Sequence, residues 1–295
     1  MKVTEQEMME ALNRSGYILE SEVAKQLSEW DFFIQSGPVV KDPITGKGRE
    51  IDIIAERWGS GNNANSELKT HTSIEYVFEI KNNSFPIVLL NKFRFSPNIE
   101  PRFGLKEAAS VPNSIDYHHD HIFFDELIEN NTNIFTQYCS FHKKKGQNNE
   151  LMASHPERFH ESISKIIQHC DEQVEHNDQY LFNEASEEVE EDGYFRHRLY
   201  LPILLVNDDV LEMSEDGLKK VDNSTLVVNY YHKGEPYTAY MFIVTKYGLA
   251  DFLSRTEKLK ESVLSKMNEA REKQLAEYDI VLHKPNPFSK EKAES

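Results

Sequence analysis

The sequence predicts an α/β (α+β) fold: a mixed central sheet flanked by helices, with a long helical insertion and extra C-terminal strands. Two features predict it. Stretches of helical and strand periodicity follow one another as helix, three strands, a mixed region, helix, three strands and helix. The run RLYLPILLVN is nearly continuous in apolar residues, as a strand buried on both faces would be. With 295 residues, 39% of them apolar, and 17 Phe and 13 Tyr, the chain can bury a sizeable core.

The first helix is expected from about Gly16 to Trp30, where Val23, Ala24 and Leu27 fall at helical spacing from Glu20. Glu20 therefore lies on the apolar stripe, where a carboxylate is expensive unless paired. The simpler reading is that it sits in the first turn, favoured by the helix dipole and close to water. DFFIQSGPVV reads as a short strand and KDPITGKG as a turn. Arg49 to Ala55 alternate, with Ile51, Ile53 and Ala55 on one face and Glu50, Asp52 and Ile54 on the other. Arg57 to Thr70 reads as a long exposed hairpin loop. The pattern resumes at Ile74 to Lys81, with Tyr76, Phe78 and Ile80 opposed to Val77, Glu79 and Lys81.

PIVLLNKFRF fits helix or strand, and NIFTQYCSFHKKK reads as an apolar element ending in a basic turn. A long helix is expected over His155 to Asn183, with Ile163, Ile166, Ile167, Cys170 and Val174 as its apolar stripe. EASEEVEEDG reads as a solvated acidic linker. STLVVNYYHK and YTAYMFIVT, joined at KGEP, read as a hairpin, and a last helix is expected from Leu249 to about Tyr278.

Charge limits the partners. Lys plus Arg total 33 against 50 Asp plus Glu, a formal charge of −17, which repels nucleic acid at long range. Nucleic-acid binding would need local basic patches, a metal ion or a partner protein. The two cysteines, Cys139 and Cys170, fit a reducing compartment rather than a disulfide framework. The opening MKVTEQEMME has no apolar core for a signal peptide, and no apolar run reaches the roughly 20 residues of a membrane span. A cytoplasmic protein without membrane contact is the expectation.

If the strands bearing Asp52 and Glu79 pair, the two carboxylates and Lys81 converge, since opposed positions lie about 5 Å apart. Carboxylates meeting in apolar surroundings repel, and a hard divalent cation relieves them. Mg²⁺, for which Mn²⁺ would substitute, could take Asp52, Glu79 and the Ile80 carbonyl and keep several waters. A lysine beside it can orient or help deprotonate a water for attack on phosphorus.

At these residues the sequence resembles the PD-(D/E)XK nuclease superfamily, the restriction-endonuclease-like fold. Asp52 in GREIDIIA is similar to the family's first acid, and Glu79-Ile80-Lys81 in YVFEIKNN to its (D/E)-X-K. Glu20 in GYILESEVAKQL is similar to the helical glutamate of Mrr-like members. The resemblance implies that Asp52 and Glu79 bind metal, Lys81 serves the attacking water and Glu20 supports the metal or its water. It spans about residues 16–83 and departs from the usual pattern in lacking a proline before Asp52.

The resemblance implies one extended nuclease-like domain over 1–283, with core motifs at 16–83, a helical insertion at about 154–190 and C-terminal strands and helix at 194–283. A disordered tail, 284–295, would follow. A separate domain from near Tyr194 is the alternative. The implied activity is Mg²⁺-dependent endonucleolytic cleavage of DNA, in restriction or antiphage defence. RNA cleavage and a non-catalytic structural or recognition subunit are the rivals. A homodimer or a larger complex would suit duplex cleavage and the acidic charge.

Weaker candidates remain. Glu50 points the same way as Asp52 and would be a further ligand or plain strand-edge polarity. Lys47, Arg49, Lys143, Lys144 and Lys145 are the candidates for phosphate contact, each also readable as an ordinary surface cation. Gln137 is similar to a glutamine found after the E-X-K strand in some members. His118, His119, Asp120 and His121 are metal-capable types in a row, but neighbours on a strand face opposite ways.

Overall fold

Where apolar residues recur at every second position the chain forms strands, and the helical stripes form helices that cover them. The computed structural model describes residues 3–41, 46–61, 70–93, 104–110, 127, 133–144, 150–155, 157–188 and 195–282. In chain order the elements are α1 (Glu5–Ser15), α2 (Tyr17–Glu29), β1 (Phe33–Ser36), β2 (Val39–Lys41), β3 (Gly48–Glu50), β4 (Ile53–Gly61), β5 (Thr70–Lys81), β6 (Ile87–Lys92) and β7 (Lys106–Ser110). They continue as β8 (Ile134–Lys143), β9 (Leu151–Ser154), α3 (Glu157–Glu188), β10 (Phe195–Val206), β11 (Val210–Ser214), β12 (Gly217–Val221), β13 (Asn223–His232), β14 (Glu235–Thr245) and α4 (Leu249–Leu282).

The fold is mixed α/β. One large sheet runs in the order β1-β4-β5-β10-β14-β13-β8-β6-β11-β12, with β7 on β10 and β9 on β8, while β2 and β3 form a separate ribbon. β10 holds the sheet together. It pairs in parallel with β5 from Phe195↔Thr70 to Val206↔Lys81, and in parallel with β14 from Ile203↔Phe242 to Val206↔Thr245. Leu199, Leu201, Ile203 and Leu205 pack with α2 and α4, while Tyr200, Leu204 and Val206 pack with α3. Burial on both faces explains the unbroken apolar run, and the C-terminal strands extend the first sheet as expected.

The β13–β14 hairpin turns at Lys233 and Gly234, whose φ values of 51° and 90° are those of a type I′ turn. Tyr230 and Tyr237 face each other across it, with ring centroids 6.1 Å apart. A buried network ties the hairpin to α3: Lys106 Nζ lies 2.7 Å from Asp171 and donates to the Tyr230 hydroxyl, which donates to Asp171.

Several expectations need correction. Arg49 to Ala55 is not one strand, because the ladder breaks at Ile51 and Asp52 between β3 and β4. Ile51 consequently joins Ile54 on the α3 side rather than Ile53 and Ala55. Most of Arg57 to Thr70 that is described is strand, since β4 runs on to Gly61 opposite Thr70. EASEE extends α3 through Glu188, as its alanine and glutamates favour. The sequence reading also missed α1 and the β11–β12 hairpin. The region 284–295, Lys145 and His118 to His121 lie outside the described residues.

Cys139 and Cys170 are both free thiols. Among the described residues no helix is long and apolar enough to cross a membrane.

Because Ile203 is fully buried at the centre of the sheet, Ile203→Ala should cost about 2–5 kcal/mol in urea unfolding. Tyr231→Ala, at a residue 70% exposed, should stay within about 0.5 kcal/mol of the parent protein.

Candidate functional site

The β4–β5 hairpin brings the acids together. Its antiparallel register runs from Gly61↔Thr70 to Ile53↔Phe78, and Asp52 and Glu79 are the residues next beyond that last pair. Asp52 stands just where β4 leaves the ladder, so its side chain takes the place of a strand partner. Its Oδ2 accepts the Ile80 N–H at 2.6 Å. An N–H and a C=O of one residue point to the same side of a strand, so the Ile80 carbonyl faces this opening too. The Lys81 carbonyl faces the other way and accepts the Asn207 N–H at 3.0 Å.

Glu79 is only 3% exposed, a burial an ionised carboxylate tolerates only when paired. Its Oε1 accepts from Lys81 Nζ at 2.5 Å and from Ser162 Oγ at 2.8 Å. Its Oε2 is met by Lys165 Nζ, which also donates to the Glu50 carbonyl at 2.6 Å. Lys165 and Ser162 come from α3, so the helix expected as an insertion supplies part of the site. These two were missed from the sequence. A signal was present: Ser162, Lys165 and His169 recur at helical spacing immediately beside the apolar row of Ile163, Ile166 and Cys170.

Glu20 arrives on the opposite side. Gly16, at φ 93°, ends α1 and begins α2, a left-handed position that suits glycine. Asn82, next after the E-X-K strand, donates to the Asn13 carbonyl and anchors that junction. Asn82 also accepts from the Asn207 side chain at 3.0 Å, and Asn83 accepts the Asn207 and Asp208 N–H groups at 3.0 and 3.1 Å. These asparagines clamp the ends of β5 and β10 beneath the site. Glu20 occupies the first turn of α2 and is partly buried.

The carboxylates differ electrostatically. Burial raises the Asp52 carboxyl above its ordinary value and the Glu79 charge raises it further, against the Ile80 N–H and the two lysines. Burial pushes Glu79 upward as well, but Lys81 and Lys165 outweigh it and hold this carboxyl below the usual range. Glu20 is raised by burial and then by the charges of Asp52, Glu50 and Glu79. Negative charge thus gathers from several elements at one place, and Asp52 and Glu20 are the acids there whose charge the surroundings disfavour.

The donor chemistry fits a hard cation. Asp52 and Glu79 supply two carboxylates and Ile80 a carbonyl directed at the same opening, the kind of partial oxygen shell that Mg²⁺ completes with water. Among the described residues no three His, Cys, Asp or Glu side chains are grouped closely enough to hold a metal, so Glu20 stands outside the immediate donor set.

Other candidates fall elsewhere. Glu50 ends β3 with its side chain exposed against Gly37, so it is its carbonyl that bonds to Lys165, while its carboxylate acts on Glu20 through charge alone. Arg49 lies on β3 of the ribbon and Lys47 just before it. Lys143 ends β8 and Lys144 follows it, both exposed, whereas the cations acting on Asp52 and Glu79 are Lys81 and Lys165. Gln137 is exposed on β8 and accepts from Asn91 at 2.7 Å.

The chain matches no family model, no curated protein and no solved structure.

The two central acids should respond oppositely to neutralisation in metal-free buffer at pH 7. Asp52→Asn keeps an acceptor for the Ile80 N–H and removes a disfavoured charge, so thermal unfolding should move to higher temperature. That gain should shrink as pH falls through the raised folded pKa, because Asp52 itself then binds a proton more readily folded than unfolded. Glu79→Gln leaves Lys81 and Lys165 without their anion and should unfold earlier. The Glu79 contribution is present above the ordinary carboxylate range and fades as pH falls through the lowered folded pKa.

Proposed function

We propose that this chain is a metal-dependent nuclease with a restriction-endonuclease-like core, hydrolysing phosphodiester bonds in DNA. The observation that carries this reading is that Asp52, just beyond the end of the β4–β5 register, accepts the amide between Glu79 and Lys81. Asp52, Glu79 and the Ile80 carbonyl would hold the ion. Bound there, Mg²⁺ or Mn²⁺ supplies a polarised water and charge for the scissile phosphate. Lys81, on Glu79 and a quarter exposed, is placed to orient that water and to hold or move its proton. Lys165 and Ser162 fix the Glu79 carboxylate, and Glu20 adds negative charge beside Asp52 and Glu79. The resemblance at residues 16–83 suggests restriction or antiphage defence as the setting.

A second reading is favoured by one feature: both oxygens of Glu79 already meet lysines, so the site is partly neutralised from within. On that reading the chain is a non-catalytic structural or recognition subunit.

Purified protein should nick or degrade DNA in Mg²⁺ or Mn²⁺, with RNA as the parallel substrate. Asp52→Ala and Lys81→Ala should each lower the rate at least a hundredfold, in line with the loss of a metal ligand or a proton-handling group. Equal activity in wild type and both variants would remove the assignment. Mg²⁺ should raise the thermal midpoint of wild type but not of Asp52→Ala. Absence of both cleavage and a Mg²⁺ shift would favour the non-catalytic subunit.

A further inference from the structure

The two oxygens of Glu79 are held unequally. Oε1 accepts from Lys81 at 2.5 Å and from Ser162 at 2.8 Å, which uses both lone-pair directions of a carboxylate oxygen. Oε2 is met, among the described residues, by Lys165 alone. Of the two, Oε2 is the oxygen that one departure would free for another cation.

The two lysines differ as well. Among the described residues Lys81 bonds to Glu79 and to nothing else. Lys165 has a second partner, because its Nζ also donates to the Glu50 carbonyl at 2.6 Å. Glu50 stands at the exposed end of β3, where water can take over the contacts an ammonium gives up. Lys165 can therefore leave the carboxylate by a small shift and still keep a hydrogen bond. Charge gives it a reason to move. Asp52 and Glu79 carry two formal negative charges and Lys81 and Lys165 two positive ones, so these four groups balance. A divalent cation added among them, with every lysine in place, would leave an excess of two positive charges in half-buried surroundings.

We propose that Lys165 is a built-in counter-ion of the metal site, which holds Glu79 Oε2 before a divalent cation binds and yields it, keeping the Glu50 carbonyl, when one does. The inference rests on the proposed nuclease in taking Asp52 and Glu79 as the ligands of that cation. Lys165 is a positioning residue: it keeps a buried carboxylate from standing unpaired, and it sets how tightly an ion must bind to displace it. The coupling is reciprocal. Whatever weakens the Lys165–Glu79 pair tightens the ion, and a bound ion loosens the hold of α3 on β5.

Mn²⁺ alone, followed at pH 7 by the paramagnetic resonance of the free ion, is the probe. Lys165→Met should bind Mn²⁺ about tenfold more tightly than wild type. Lys165→Gln, which keeps a neutral donor for Glu79 and for the Glu50 carbonyl, should do the same and serves where the methionine variant fails to fold. Without metal both variants should melt below wild type, and saturating Mn²⁺ should raise their melting temperatures by more than it raises that of wild type. Adding Asp52→Ala to Lys165→Gln should abolish both gains. Lys81→Met, which frees the other oxygen, should tighten Mn²⁺ clearly less.

Unchanged or weaker Mn²⁺ binding in both Lys165 variants, with binding in wild type that depends on Asp52, would overturn the counter-ion and keep the metal site. Equal tightening by Lys81→Met would also overturn it, since general loss of positive charge would then explain the gain. Tighter binding without cleavage of any nucleic acid would keep the counter-ion and remove the nuclease. No Mn²⁺ binding that depends on Asp52 in any of these proteins would remove both.

Discussion

A carboxylate with almost no access to water, Glu79, dictates how the centre of this molecule is assembled. Burying it is tolerable because Lys81 meets one oxygen from its own strand and Lys165 meets the other from α3. That requirement fixes α3 against the sheet, and the Lys165 bond to the Glu50 carbonyl fixes the β2–β3 ribbon beside it. The apolar packing of Ile163, Ile166, Ile167 and Cys170 supplies the general attraction between α3 and the sheet. The ion pairs select one register for it.

Asp52 has no such compensation. It is half-buried just before β4, beside another acid, with one backbone N–H as its direct partner. Its raised carboxyl is the mark of a group placed against local stability, and such placements gather at functional sites. Within one hairpin the fold therefore holds one carboxylate whose charge two lysines compensate and one whose charge is left disfavoured. A bound cation would reverse that imbalance, drawing on Asp52 first and on Glu79 at the expense of its lysines. Proposed catalysis and the electrostatics of the fold are two sides of this arrangement.

Much of the site was legible in the sequence because strand periodicity is short-range. Glu79 and Lys81 on one face, opposed to Phe78 and Ile80, follow from alternation alone, and the β5 burial pattern agrees. Glu20 followed from helical phase in the same way. What periodicity does not contain is which distant elements meet. Lys165 and Ser162 lie more than eighty residues from Glu79, and only the packing of α3 on β5 and β10 brings them there. The Asn82, Asn83 and Asn207 clamp is likewise a product of the β5–β10 pairing. Alternation misled at Ile51 and Asp52, where it continued in the sequence although the backbone turned out of the ladder. That same bend frees the Asp52 side chain to reach the Ile80 amide. Short strands such as β11 and β12, five residues each, gave too little contrast to register.

The central claim is that Asp52 and Glu79 jointly hold one divalent cation. Diffraction from crystals soaked in Mn²⁺, collected at the manganese absorption edge, tests it directly. The account predicts a single anomalous peak shared by the Asp52 and Glu79 carboxylates, with at least one of Lys81 and Lys165 drawn away from Glu79. Saturating Mn²⁺ with no peak at these residues, and both lysines still on Glu79, would contradict it.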